Sequence, residues 1–369
     1  MNRPKRLLAL DVFRGLTIAL MIIVTNPGSW NYVYAPLRHA KWDGCTPTDL
    51  VFPFFMFIMG SAMWYSFKKI NHTLSKLVAV KILRRTLVIF LIGLAINIYA
   101  SFSFDISHLR IMGVMNRIAL GYGIAAFIVL GLSYRYVQIT TGVILLGYWA
   151  LLALFGGSEP YSLEGNFVGT FDQFVLGANH MQGYQGILFD QTGLLATLPS
   201  IASVLLGYIT GRLIDLSKNI HIAVKQLFIY GMLGIVVGVA WGFLFPINKP
   251  LWTSSYVVYT SGFAMLLLGA FLWVIDVKGY KKWTKPLQVF GMNPLFIYVF
   301  AVFLAISLRI KLAYSPAGDS ISITNWLYTN YYQPLAGNMN GSLLYALSFG
   351  IICWLLGWLM YRKKVFIKI

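Results

Sequence analysis

Residues Asn26–Phe57 read NPGSWNYVYAPLRHAKWDGCTPTDLVFPFFMF. A polar loop rich in Trp and Tyr, carrying Arg38, His39, Lys41 and Asp43, is held between an apolar run that ends at Asn26 and another that begins at Leu50. Each flanking run approaches the roughly 20 apolar residues that a helix needs to cross a bilayer. His39 is therefore expected at the mouth of a membrane protein, where lipid supplies no partner and ionisable groups are functional by default.

Outward from this loop the apolar pattern recurs about every 30 residues. Ten runs are found, at 8–26, 50–67, 84–102, 111–131, 137–155, 191–212, 225–245, 254–275, 287–307 and 342–361. With 58% hydrophobic and 11% charged residues, the composition excludes an ordinary soluble domain. Backbone groups in lipid must be satisfied within the segment or by a closed barrel, and these runs lack the alternation of barrel strands. The expected fold is an all-α polytopic membrane protein of about ten transmembrane helices, forming one domain over residues 1–369 with outer-side loops at 27–48, 156–190 and 308–341.

The net charge of +18 raises nucleic acid as a partner, but its distribution argues for topology instead. The outer side of a ten-helix arrangement receives only Arg38, Lys41, Arg110, Arg117, Lys249, Arg309 and Lys311 of the 29 Lys and Arg, and Arg14 falls in the first span. The others share a side with the basic N-terminal stretch MNRPKRL, so both termini are expected in the cytoplasm, with anionic lipid headgroups as partners and no nucleic acid. Cys45 lies in the outer loop and Cys353 within a span, which makes a mutual disulfide unexpected. The first run lacks a small-residue cleavage site and is expected to remain in place.

Along the chain, Asp11 and Arg14 lie one helical turn apart. Either they neutralise each other at the inner interface, or Arg14 faces a cavity and binds an anion. Trp42 is either an interfacial anchor or part of the site. Thr46-Pro47-Thr48-Asp49 has the pattern of a helix start, with Thr as cap, Pro first and Asp third, which gives Asp49 a structural alternative to catalysis. His72 is expected as a solvated residue of a basic connection. Arg110 and Arg117 are seven residues apart, expected on one helical face with Arg117 about 10 Å deeper. Arg117 then needs a buried acid or an anionic ligand, with Asn116 beside it. The Gly-rich segment 156–191 carries Asp172, His180 and Asp190, and Asn293-Pro294 marks a loosened turn near the cytoplasmic face.

No phosphate loop, HExxH, CxxC or GxSxG is present, so hydrolase, ATPase and metal chemistry lack their residues. What remains is an imidazole, His39, with carboxylates Asp43 and Asp49 near in sequence. Histidine takes up and releases protons near neutral pH, and an orienting carboxylate raises its basicity. That pattern fits a general base or a nucleophile in acyl transfer, and Cys45 is a lesser candidate nucleophile.

RLLALDVFRGLTIALMIIVTN from Arg6 and HAKWDGCTPTDLVFPFFMFIMG from His39 resemble the signature of the heparan-alpha-glucosaminide N-acetyltransferase family and its bacterial relatives among the transmembrane acyltransferases. Further matches are LRIMGVMNRIALGY from Leu109, DQFVLGANH from Asp172, FDQTGLLATLPSIASVLLGYITGRL from Phe189 and FGMNPLFIY from Phe290. The resemblance implies a transmembrane acyltransferase fold, acetyl taken from cytosolic acetyl-CoA, and transfer to a glucosamine amine across the membrane. It places the reactive histidine on His39 and the amide thought to hold the acetyl carbonyl on Asn26. Asp43 departs from the usual residue after the tryptophan, leaving two carboxylates to partner His39. The animal members carry a large soluble extension, so glycan recognition is expected of this chain's own outer segments. Candidate catalytic residues are thus His39, Asn26, Asp43 and Asp49. Candidate substrate- or acetyl-CoA-binding residues are Asp11, Arg14, Trp42, Arg110, Asn116, Arg117, His180, Asp190 and Asn293. The expected setting is a bacterial inner membrane with the acceptor site periplasmic, an amino sugar or oligosaccharide as acceptor and a homodimer as the assembly. The competing class is a transporter of a sugar or lipid-linked substrate, although the paired broken helices usual in such proteins are not evident in sequence.

Overall fold

The computed structural model describes residues 7–102, 104–314 and 320–367; the basic residues of the N-terminal stretch, Asp319 in the third outer segment and Lys368 lie outside the described residues. All ten expected runs are helical. In chain order the helices are α1 (Leu8–Thr25), α2 (Val51–Lys68), α3 (Lys76–Ser101), α4 (Val114–Gly131), α5 (Tyr134–Phe155), a short α6 (Phe167–Leu176), α7 (Thr197–Leu216), α8 (Ile220–Gly242) and α9 (Ser254–Phe271). They continue with α10 (Lys285–Met292), α11 (Pro294–Leu308), the short α12 (Ile323–Leu327) and α13 (Gln333–Ala336), and α14 (Asn338–Arg362).

Among the described residues, eight helices are long and apolar enough to cross a membrane, or nine if the pair Lys282–Met292 and Pro294–Leu308 is one broken span. The remaining expected run is α3, whose first half carries Lys76, Lys81, Arg84 and Arg85. The broken pair bends by 72°. Its cause is local: Pro294 lacks an N–H and pushes the preceding residue out of helical geometry, and Asn293 accordingly has φ −129° and ψ 53°.

Two compact units divide the chain, one of Met1–His39, Thr46–Phe52 and Tyr280–Lys368, the other of Ala40–Cys45 and Pro53–Gly279. In the first, α1 lies so close to α10 that a Cβ on Gly15 would collide with the Leu287 carbonyl. In the second, a Cβ on Gly207 would collide with the Phe57 carbonyl, and Ser61 Oγ donates to Gly207 O at 2.8 Å. Small residues let helix backbones approach where lipid offers no hydrophobic drive to pack. Two of the expected outer loops are folded. Segment 156–190 holds α6 and a hairpin of β1 (Gly183–Tyr184) and β2 (Ile187–Leu188), and segment 308–341 holds β3 (Ala313–Tyr314), β4 (Ser320–Ile321), α12 and α13. The β1–β2 turn is Gln185-Gly186, both at positive φ, the backbone that a tight two-residue hairpin requires.

Candidate active site

In the first unit, a single 3-10 turn over Ala35–Leu37 leads into His39, and a second over Pro47–Leu50 carries Asp49. Proline at the first position of the second turn lacks a donor that would be unpaired there anyway. Thr46 N donates to Asp49 Oδ2 at 3.0 Å, and Asp49 N to Thr46 O at 3.0 Å. The Thr46 hydroxyl has one proton between Arg38 O at 2.7 Å and Asp49 Oδ2 at 2.9 Å, and Thr48 Oγ1 donates to Pro36 O at 3.1 Å. These bonds join the two turns and bring Asp49 Oδ1 to 2.6 Å from His39 Nδ1. The Asp49 side chain is 1% exposed and that of His39 44%.

A carboxylate only accepts, so His39 Nδ1 carries the proton of this bond and the imidazole lone pair is left on Nε2. The sequence poses cap and catalytic partner as rival roles for Asp49; in the structure Oδ2 meets Thr46 and Oδ1 meets His39. Thr46 is the linking residue that sequence reasoning treats only as a cap.

Asp43 and Trp42 belong to the second unit. Asn248 Nδ2 donates to Asp43 Oδ1 at 3.1 Å, and the two backbones bridge. Trp42 Nε1 donates to Tyr161 O at 2.8 Å, and its ring meets the edge of Phe189 at 5.5 Å. Tyr184 OH and Gln185 Nε2 both donate to Lys41 O, and Gly44 N donates to Ile247 O at 2.7 Å. Residues 40–45 are therefore stitched to the second outer segment and to the connection before α9. Neither Cys45 nor Cys353 forms a disulfide.

Asn26 ends α1 and lines a cavity of about 390 Å³ in the first unit, with Trp30, Asn31, Arg309, Ser322, Asn325 and Tyr345 among the other lining residues. His39 is not among those residues. Asn26 Nδ2 donates to Ile22 O at 2.7 Å and to Thr25 Oγ1 at 3.1 Å, so both amide hydrogens are engaged within its own helix.

Arg14 donates to Asp11 Oδ1 at 2.6 Å and, through Nε and Nη2, to Gly291 O at 2.9 and 2.6 Å. It neutralises the neighbouring acid and also satisfies a carbonyl at the end of α10, where a cation complements the helix dipole. Asn293 is a clasp: its Nδ2 donates to Val365 O and its Oδ1 accepts from Ile367 N, both at 2.9 Å.

The second unit corrects the pairing expected of its arginines. α4 begins at Val114 after an extended Gly113, so Arg110 does not share a helical face with Arg117. The segment before α4 is held extended because Ile111 N donates to His180 O at 3.1 Å and His180 Nδ1 donates to Leu109 O at 2.8 Å. Arg110 instead grips Asp190 with two bonds, Nε to Oδ2 at 2.8 Å and Nη2 to Oδ1 at 2.7 Å, and reaches Thr192 Oγ1 at 2.7 Å. Burial opposes ionisation of Asp190, but Arg110 and Thr192 outweigh it and hold the carboxyl below its usual range. Arg117 is fully buried, donates from Nη2 to Gln191 O at 3.0 Å and Gly193 O at 3.3 Å, and lies 5.0 Å from the Trp252 ring centre. Of the two alternatives posed for Arg117, a buried acid or an anionic ligand, the first is not met by an ion pair among the described residues. Asn116 Nδ2 donates to Phe90 O at 3.1 Å. Asp172, also buried, accepts from Leu195 N at 2.9 Å, and burial pushes its carboxyl up to about 6.

His72 is not simply solvated. Its Nδ1 lies 2.9 Å from Tyr208 OH and its ring 4.2 Å from that of Trp64.

A family model described as heparan-alpha-glucosaminide N-acetyltransferase, catalytic, matches residues 6–240. The chain is similar to heparan-alpha-glucosaminide N-acetyltransferase of Mus musculus, 31% identical over 357 residues covering 81% of this chain and 53% of that protein. It is also similar to the Homo sapiens protein of the same name, 28% identical over 428 residues covering 99% of this chain and 60% of that protein. The chain thus spans little more than half the length of the curated relatives it matches.

Proposed function

Because the chain belongs to the heparan-alpha-glucosaminide N-acetyltransferase family, we propose that it moves an acetyl group from cytoplasmic acetyl-CoA to the amine of a glucosamine-type sugar on the opposite side of the membrane. The observation that carries this reading is the 2.6 Å bond between His39 Nδ1 and the buried Asp49 Oδ1. Acetyl-CoA, when bound, supplies a thioester-activated acetyl group. His39 Nε2 takes the proton of the attacking amine as its nitrogen bonds to the acetyl carbon, the C–S bond breaks, and the imidazolium gives the proton to the departing thiolate; Asp49 fixes the tautomer and stabilises the imidazolium. The capping bonds of Asp49 hold it in place for that task.

The excess of Lys and Arg on the side of the N-terminus supports ten helices with both termini cytoplasmic, in a bacterial inner membrane with the acceptor on the periplasmic side. Arg14 directs its bonds at Asp11 and Gly291. The exposed Lys281, Lys282 and Lys285 at the start of α10 are better placed to hold an anionic nucleotide. The 72° break between α10 and α11 favours the transporter as the second reading.

Incubating the purified protein with acetyl-CoA and glucosamine separates them: release of thiol with formation of N-acetylglucosamine is expected, and saturable sugar binding without thiol release sinks the enzyme reading. Radiolabel retained on the protein after acetyl-CoA alone would mark an acetylated His39, and an unlabelled but competent enzyme rules that route out.

A further inference from the structure

At the end of α14, Val365 N donates to Met360 O at 2.9 Å and Lys364 N to Tyr361 O at 3.1 Å, the pair of bonds that closes a helix through one residue in the left-handed region. That residue is Lys364, at φ 56°, a conformation that crowds any side chain and that glycine usually fills. The turn delivers residues 365–367 to Asn293, which is 2% exposed and stands at the break between α10 and α11. Asn293 Nδ2 donates to Val365 O and Ile367 N donates to Asn293 Oδ1, so one side chain pairs with one edge of the segment as a neighbouring strand would.

Only the backbone of this segment is held there. The side chains of Val365, Phe366 and Ile367 are 46, 41 and 42% exposed, and Arg362, Lys363 and Lys364 are exposed beside them. No carboxylate pairs with any of these three cations among the described residues. From Val277 onward the sequence has a single acid, Asp319, in the third outer segment. Three cations next to three apolar side chains at the end of a 25-residue apolar helix suit the boundary of a bilayer, where the apolar groups enter the acyl region and the cations reach phosphate.

The other face of the segment bears on the break. α10 is fixed to α1, since a Cβ on Gly291 would collide with the Asp11 carbonyl and Arg14 grips Gly291 O. α11 leaves at 72°, and Pro294 has no N–H to carry the hydrogen-bond ladder across. The setting of α11 therefore depends on side chains at the joint, and Asn293 spends its donor and its acceptor on residues 365–367.

We propose that residues 362–367 are a docking surface for the headgroups of anionic phospholipids, and that lipid held there tightens this strap on Asn293 and stiffens the α10–α11 break. On the proposed topology the lipid belongs to the cytoplasmic leaflet, the anionic one. The proposal does not depend on the acetyltransferase reading.

The full chain is placed in nanodiscs of phosphatidylcholine with or without phosphatidylglycerol, and amide hydrogen exchange is followed at Ile367 and across residues 291–297. Phosphatidylglycerol should slow exchange at both places; exchange indifferent to it overturns the proposal. Lys363→Gln should weaken phosphatidylglycerol binding about fivefold, the factor one cation contributes at an anionic surface. Lys364→Gly should weaken it equally while melting no lower than the wild type, because glycine relieves the left-handed turn. Slowing of exchange that survives both substitutions together places the lipid elsewhere and overturns the proposal. Coupling is reciprocal, so Asn293→Ala, which cuts the strap, should speed exchange at Ile367 and also lower phosphatidylglycerol affinity. Unchanged affinity in that variant overturns the link to the break. Acetyl-CoA added to phosphatidylcholine nanodiscs tests a nucleotide phosphate as the source of the anion, and protection of Ile367 by acetyl-CoA in place of lipid overturns the proposal.

Discussion

Replacing Asp49 by Asn separates the catalytic role proposed for this side chain from its structural one. The carboxylate accepts from His39 Nδ1 at 2.6 Å on one oxygen and from Thr46 N at 3.0 Å on the other, and an amide has one oxygen for these two donors. The Thr46 N–H is fixed in the backbone, but a neutral imidazole can move its proton between its nitrogens. The amide oxygen is therefore expected to stay on Thr46 and its NH2 to face His39, which forces Nδ1 to accept and places the proton on Nε2. The base is then blocked. A positioned general base contributes about 10²- to 10⁴-fold, which at about 1.36 kcal/mol per factor of ten is roughly 3–5 kcal/mol of barrier. The bond from Thr46 N to the Asp49 side chain, third in the turn, is worth about 0.5–1.5 kcal/mol, and the Asn oxygen should keep most of that. Asp49→Asn should thus lower kcat for thiol release by about 10²- to 10⁴-fold while its thermal unfolding midpoint stays close to that of the wild type. Asp49→Ala should lose both. Steady-state kinetics and unfolding curves on the same purified samples supply the comparison. If folded Asp49→Asn turns over within about threefold of the wild type, Asp49 does not set the tautomer of His39 and the dyad argument fails.

Arg110→Ala strands the buried Asp190 carboxylate without its two-bond partner, so a loss of about 3–5 kcal/mol is expected in denaturant or thermal unfolding, with Arg110→Lys intermediate. A change below about 1 kcal/mol would mean that the pair is replaceable. Asp172 keeps a proton up to about pH 6 in the folded protein against 3.8 ordinarily. Between those values the native state binds more protons than the unfolded chain, so stability should fall as pH rises through the window and level off above it, by an amount on the order of 3 kcal/mol. Asp172→Asn should flatten that slope in unfolding midpoints measured across the window; an unchanged slope assigns it elsewhere. Gly15→Ala drives a methyl group into the Leu287 carbonyl and should cost about 1–3 kcal/mol or more of stability, whereas Gly147→Ala, which meets nothing, should be neutral or stabilising when the two are melted side by side.

The ten long apolar runs were legible as helices because their hydrophobic pattern is a local property, and the bend at Asn293 is equally local because Pro294 causes it. Asp49 and His39 are ten residues apart, within reach of a reading by neighbourhood. Partners farther away left no such trace. Arg110 finds Asp190 at a separation of 80 residues, Asn248 finds Asp43 at 205 and Arg14 finds Gly291 at 277. In the last case the acceptor is a backbone carbonyl, which no side-chain pattern can announce. The helical face expected to join Arg110 and Arg117 fails at Gly113, where cross-strand-like bonds to His180 outcompete helix formation. Periodicity sees an apolar stretch there and cannot see a partner arriving from another segment. The folding of the outer segments was missed for the same reason, and the Gln185-Gly186 turn went unread although its glycine is a local signal.

The double duty of Asp49 also bears on how natural variation at this position should be weighed. A substitution there is penalised once through the start of the helix and again through His39, and the two penalties act on different phenotypes, abundance and turnover. Drift at position 49 is blocked even in a lineage that has lost the reaction, as long as the fold is still used. Constancy of Asp49 across relatives would thus be weak testimony for catalysis, while His39, whose ring is 44% exposed, is the position at which loss of activity would first be written into sequence.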